Sequence, residues 1–165
     1  MASEIIAILP EEVKKRGIYA RVFTDIGTTL DQRTPTLYLD HMYKKEGKSK
    51  KQIDAKTKKI LQISKNLPYV IDANHVFFPF KYRTTTYDKQ TRGFANVKYV
   101  ANIRDNEIIL TTGETISTLS KFEALNTNKN YARLMLDEEI IRYYTKMNST
   151  IRFVSANVME DIYES

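Results

Sequence analysis

The segment FFPFKYRTTTYDKQTRGFANV, Phe77–Val97, sets two apolar, aromatic runs on either side of twelve polar and cationic residues, Lys81–Arg92. Runs rich in β-branched and aromatic residues and bounded by polar clusters read as strands. The flanks therefore read as strands Val76–Phe80 and Ala95–Ile103 of one sheet. Hairpin loops ordinarily have about two to five residues, so an interruption this long either does a job or is a disordered surface loop. Pro79 has no N–H to give a ladder and predicts an edge or a bulge where the chain leaves the sheet.

Outward from this segment, further strands are expected at Ile5–Leu9, Ile18–Phe23, Tyr69–Ile71 and Ile108–Thr112, with Arg104–Glu107 (RDNE) as a turn. Helical spacing puts Leu39, Met42 and Tyr43 on one face of Leu37–Lys45. After Gly47, the pair Ser49 and Gln52 forms a capping box that leads into Ile53, Thr57 and Ile60. A second box, Ser120 with Glu123, opens another helical region. Beyond it Tyr131, Leu134, Met135, Ile141 and Tyr144 form an apolar stripe, read as core or self-association surface. No repeat or flexible linker divides the chain. The expectation is a single α+β domain over residues 1–165: a mainly antiparallel sheet, a basic helix pair, an arm at 81–92, a C-terminal helical region and a loose acidic tail at 150–165.

The 165 residues contain no cysteine, which excludes a disulfide framework or a thiolate metal site. MASEIIAILPEE lacks the basic start and long apolar region of a signal peptide, and no stretch approaches a membrane span of about 20 apolar residues. A cytoplasmic, nucleoid-associated protein with no membrane partner is expected. The net charge of +6 is concentrated: Lys44–Lys59 holds eight lysines against Glu46 and Asp54, and Lys81–Arg92 adds four cations against Asp88. Residues 137–165 are net acidic.

Catalytic patterns are weak. Gly47-Lys48-Ser49 resembles the end of a phosphate-binding loop, but Met42 stands where the upstream glycine belongs and a helix precedes it. His41 and His75 have no companions at ligand spacing and read as packing or surface residues. Asp137, Glu138 and Glu139 diverge around a helix and read as a solvated face. The expectation is a non-enzyme with no metal and no cofactor.

Two cationic segments remain, one helical and one on the arm with Tyr82 and Tyr87 interleaved. Lysines make sequence-independent phosphate contacts, and arginines suit the narrow, negative minor groove of A·T tracts. The expected DNA contacts are Lys48, Ser49, Lys50 and Lys51 at the helix start. On the arm they are Lys81, Arg83, Thr84, Thr85, Thr86, Lys89 and Arg92, with Arg83 and Arg92 entering the groove. The alternative is a general nucleic-acid or anionic-surface module without sequence preference.

The collinear stretches IIAILPEE (Ile5–Glu12), HMYKKEGKSKKQIDAKTKKILQISKNLPYVID (His41–Asp72), HVFFPF (His75–Phe80), RGFANVKYV (Arg92–Val100) and GETISTLSKFEAL (Gly113–Leu125) resemble the ComK competence transcription factors. The resemblance implies an activator of DNA-uptake genes that binds paired A/T-rich boxes of double-stranded DNA, largely through the minor groove, as dimers and tetramers. Departures fall at Gln52-Ile53, Phe80 and Phe94, where the family usually carries Gly-Arg, threonine and tryptophan. The tail after Met135 matches poorly, so recognition by a proteolytic adaptor is not carried over.

Overall fold

The structure is a computed structural model that describes residues 3–85 and 87–164, with side chains to residue 156. Strand β1, Ile5–Val13, lies near the centre of a sheet with β2, Gly17–Thr24, and β3, Gly27–Asp31, on one side. On its other side follow β6, Arg92–Asn96, then β5, His75–Lys81, then β4, Tyr69–Asp72. All neighbours are antiparallel. Both faces are covered, which is why Ile5–Leu9 reads as an unbroken apolar run instead of alternating. One face holds Ile8, Ala20, Val22, Ile71, Phe77 and Phe94 beneath Leu39 and Tyr43 of helix α1, Pro35–Lys45. The other holds Leu9, Val76, Phe78, Phe80 and Ala95 beneath a second sheet and helix α3, Phe122–Glu164.

The helix pair forms as its caps dictate. Helix α1 ends in a Schellman motif: Lys48 N–H reaches Tyr43 O at 2.9 Å, Gly47 N–H reaches Lys44 O at 3.0 Å, and Gly47 supplies the positive φ of 67°. Helix α2, Lys50–Leu61, then starts with Ser49 accepting from Gln52 N–H at 3.3 Å. The buried Tyr43 hydroxyl accepts from Val70 N–H at 2.7 Å, tying α1 to β4, and burial raises its pKa.

Four expectations are corrected. First, Ala95–Ile103 is not one strand. The chain leaves the large sheet at Asn96, makes a 3-10 turn at Val97–Tyr99, and enters a separate sheet of β7, Val100–Arg104, β8, Glu107–Leu110, and β9, Thr115–Ser117. Second, Pro79 stands at an open edge as expected, but the chain does not leave the sheet there, because Pro79 pairs with Phe94 and the pairing runs on to Lys81 opposite Arg92. Its N and C=O point away from β6, past the end of β4, where Asn128 Nδ2 donates to Pro79 O at 3.1 Å. Third, Ser120 does not cap α3, because its hydroxyl accepts from Lys81 N–H at 2.8 Å. Fourth, α3 is one helix of 43 residues, about 65 Å long at 1.5 Å per residue. Leu125, Ala132, Met135 and Leu136 pack on the domain, while Leu134 and residues 141–156 face solvent. Helical structure runs through the tail to Glu164.

Gly93 is required by close packing. A Cβ there would lie 2.6 Å from the Phe80 ring and 2.8 Å from Leu9 Cδ2, both buried. Gly93→Ala is therefore expected to lower stability by about 1–3 kcal/mol through overpacking, read as a lower urea midpoint at unchanged slope.

Candidate nucleic-acid interface

Strand register puts the two ends of the 81–92 segment on one face of the sheet, beside Lys50 at the start of α2. Lys81 lies directly opposite Arg92 in the β5–β6 ladder. Side chains alternate along strands, so both stand on the α1 face with Phe77 and Phe94. Like charges directly opposite in an antiparallel pair destabilise it. Both residues are exposed, and no carboxylate of the described residues is within 4.0 Å of either. Arg92 Nη1 instead donates to Asn66 Oδ1 at 3.5 Å, in the turn between α2 and β4. Alongside, Lys50 Nζ lies 5.1 Å from the centre of the Tyr69 ring, which packs edge-on against Phe94 at 5.2 Å. Burial raises the Tyr69 pKa, so its ring stays neutral beneath the ammonium.

The expected helix-start contacts differ in availability. Lys48 Nζ turns inward and donates to Ile71 O, so its ammonium ties the turn between α1 and α2 to β4. Ser49 is engaged as the cap. Lys50 pairs with Asp54 at 2.6 Å; burial opposes its charge, but the Asp54 hydrogen bond and nearby Tyr69 and Asp40 raise its pKa. Lys51 is exposed, as are Lys56, Lys58 and Lys59 further along α2.

The arm is shorter and more ordered than its composition suggests. Lys81 and Arg92 belong to strands, and the connection between them is closed by Tyr82 N–H to Thr91 O at 2.8 Å and Arg83 N–H to Thr91 O at 3.0 Å. Asp88 is its hub. It accepts from Arg83 Nη1 at 2.9 Å, from Gln90 N–H at 2.8 Å and from Thr85 Oγ1 at 3.2 Å. Slight desolvation works against its charge, but these donors together lower its pKa. Arg83 also donates to Gln90 O at 2.9 Å and is only 19% exposed. It clamps the loop and does not project from it. Thr85 is likewise engaged, Thr84 and Lys89 are exposed, and Thr86 lies outside the described residues.

His75 is a packing residue. Its Nε2 accepts from Ile5 N–H at 3.0 Å, which sets the proton on Nδ1, where it donates to Asp72 at 3.0 Å. Among the described residues no helix is long and apolar enough to cross a membrane. Sequence reasoning missed Asn66, whose contact with Arg92 spans 26 positions and has no local signal. It also passed over Lys14, Lys15 and Arg16, which the adjacent Glu11 and Glu12 hide in any windowed charge sum.

No family model, curated protein or solved structure matches the chain.

Proposed function

We propose that this protein is a sequence-specific DNA-binding regulator that reads A/T-rich duplex sites through the minor groove. The observation that carries it is Lys81 facing Arg92 with no carboxylate of the described residues within 4.0 Å of either, beside Lys50 over Tyr69 at the start of α2, a helix that also carries the exposed Lys51, Lys56, Lys58 and Lys59. Stored like-charge repulsion is relieved when a polyanion binds. Arg92 is the group for the groove, because guanidinium sheds water more readily than ammonium. Lys81, Lys89 and Lys51 lie on flanking phosphates. On the resemblance to ComK factors, the sites belong to competence genes and the protein works at the nucleoid as an activator.

The test is selection of bound fragments from genomic DNA, followed by replacement of A·T by inosine·cytosine pairs, which keep the minor-groove face and change the major groove. Tolerated replacement supports the reading. Equal affinity for RNA, single strands or anionic vesicles would replace it with a general polyanion-binding module.

Self-association belongs to the same proposal. On the solvent-facing part of α3, Tyr144, Met147, Ile151 and Val154 recur at the 3-4-3 spacing of a coiled-coil seam, and their exposures run from 41% to 59%. Flanking Asn148, Thr150 and Ser155 carry no charge to repel a second copy. Two copies joined here would engage two half-sites. Sedimentation should show at least a dimer that Ile151→Asp converts to monomer; a monomeric parent protein, free and on DNA, would remove this part.

A further inference from the structure

The β1–β2 hairpin ends in Lys14-Lys15-Arg16, three consecutive exposed cations. Arg16 N–H closes the turn on Val13 O at 2.9 Å, and Lys15 takes the third position with φ 66°. Such turns ordinarily put glycine or asparagine there, because a Cβ is strained in that region. A lysine is therefore carried at the tip against the local backbone preference. No carboxylate of the described residues lies within 4.0 Å of the three cations. The two glutamates of the strand point elsewhere: Glu11 pairs with Arg21, and Glu12 lies 3.9 Å from Arg83.

Register decides where this tip goes. Strand β1 pairs with β6 as Ala7 to Ala95 and Ile8 to Phe94, so β1 beyond Leu9 runs beside Arg92 and the 82–91 connection. Both projections leave the same end of the sheet. Between them lies an open cleft of about 800 Å³ lined by Glu12, Ile18, Thr34, Arg83, Thr85 and Tyr87. We propose that the hairpin tip is a second phosphate-contacting prong, holding the nucleic-acid backbone alongside Lys89 and the Lys81–Arg92 pair. Phosphate contacts position a protein on the duplex without reading sequence, so the tip adds affinity and orientation while specificity stays with Arg92.

This inference rests on the DNA-binding reading above, and its test separates the two. In the variant Lys14→Ala, Lys15→Gly, Arg16→Ala, glycine preserves the left-handed turn, so the urea midpoint should hold or rise. On an A/T-rich duplex the slope of log affinity against log salt should flatten by about 2 to 3, at about 0.9 per lost contact, with the A/T over G/C ratio unchanged. An unchanged slope beside normal binding by the parent protein overturns the prong alone. Parent protein with no salt-dependent duplex binding overturns both. Loss of binding to anionic vesicles with duplex binding intact overturns the prong in favour of a membrane-facing tip.

Discussion

Replacing Asn96 with aspartate is expected to lower stability by about 3–5 kcal/mol at neutral pH, the cost of an uncompensated buried charge. Asn96 is fully buried where the chain passes from the large sheet to the small one. Its Nδ2 donates to Ile5 O and to Asn74 O, each at 2.8 Å, and its Oδ1 accepts from Lys98 N–H at 3.1 Å. The substitution keeps the shape and one of these bonds, but it aims a carboxylate oxygen at two carbonyl oxygens. Burial and repulsion raise the folded-state pKa of the introduced carboxyl above its unfolded value of about 3.9. A group with a raised folded pKa binds more protons folded than unfolded, so the deficit is small below about pH 4 and grows as pH rises. Asn96→Ala loses the same donors without a charge, and its deficit of about 1–3 kcal/mol should not vary with pH through this group. Paired urea titrations at acid and neutral pH compare them; an aspartate deficit independent of pH would mean the carboxylate reaches water.

The double substitution Lys81→Ala, Arg92→Ala is expected to weaken A/T-rich duplex binding by about 100-fold or more, from one lost phosphate contact and one lost groove contact of about 1–3 kcal/mol. Stability should move the other way. Removing two like charges opposed across a ladder is worth a few tenths of a kcal/mol, up to about 1. Weaker binding together with unchanged or higher stability marks residues kept for an anion, because a packing role would lower both. Lower stability with intact A/T preference in a filter-binding titration would assign the pair to the fold and remove the carrying observation of the proposed function.

Signals carried within a few residues were legible in the sequence. Ser49, Gly47 and the Leu39–Tyr43 face specify the helix pair through hydrogen bonds and spacings closed inside one or two turns. The turn Arg104–Glu107 and the apolar runs of β1, β2, β4, β5 and β8 were likewise readable. Strand β3, Gly27–Asp31, was not, because as an exposed edge its burial pattern has no buried residue to betray it. Three-residue β9 is too short for a period to show.

The candidate site divides along the same line. Which residues are cationic was plain from the chain alone, and so was their grouping at 44–59 and 81–92. Which of those charges are free was decided by tertiary structure. Lys48 is drawn to a carbonyl 23 positions away, and Arg83 is folded back onto Asp88. Arg92 is set against Lys81 by register, and the tip at Lys14–Arg16 is carried to the same end of the sheet. Charge is a property of the residue. Its availability depends on which distant carbonyls, carboxylates and strands the fold brings within hydrogen-bonding reach, and only long-range pairing, such as Asn96 to Ile5 across 91 positions, determines that.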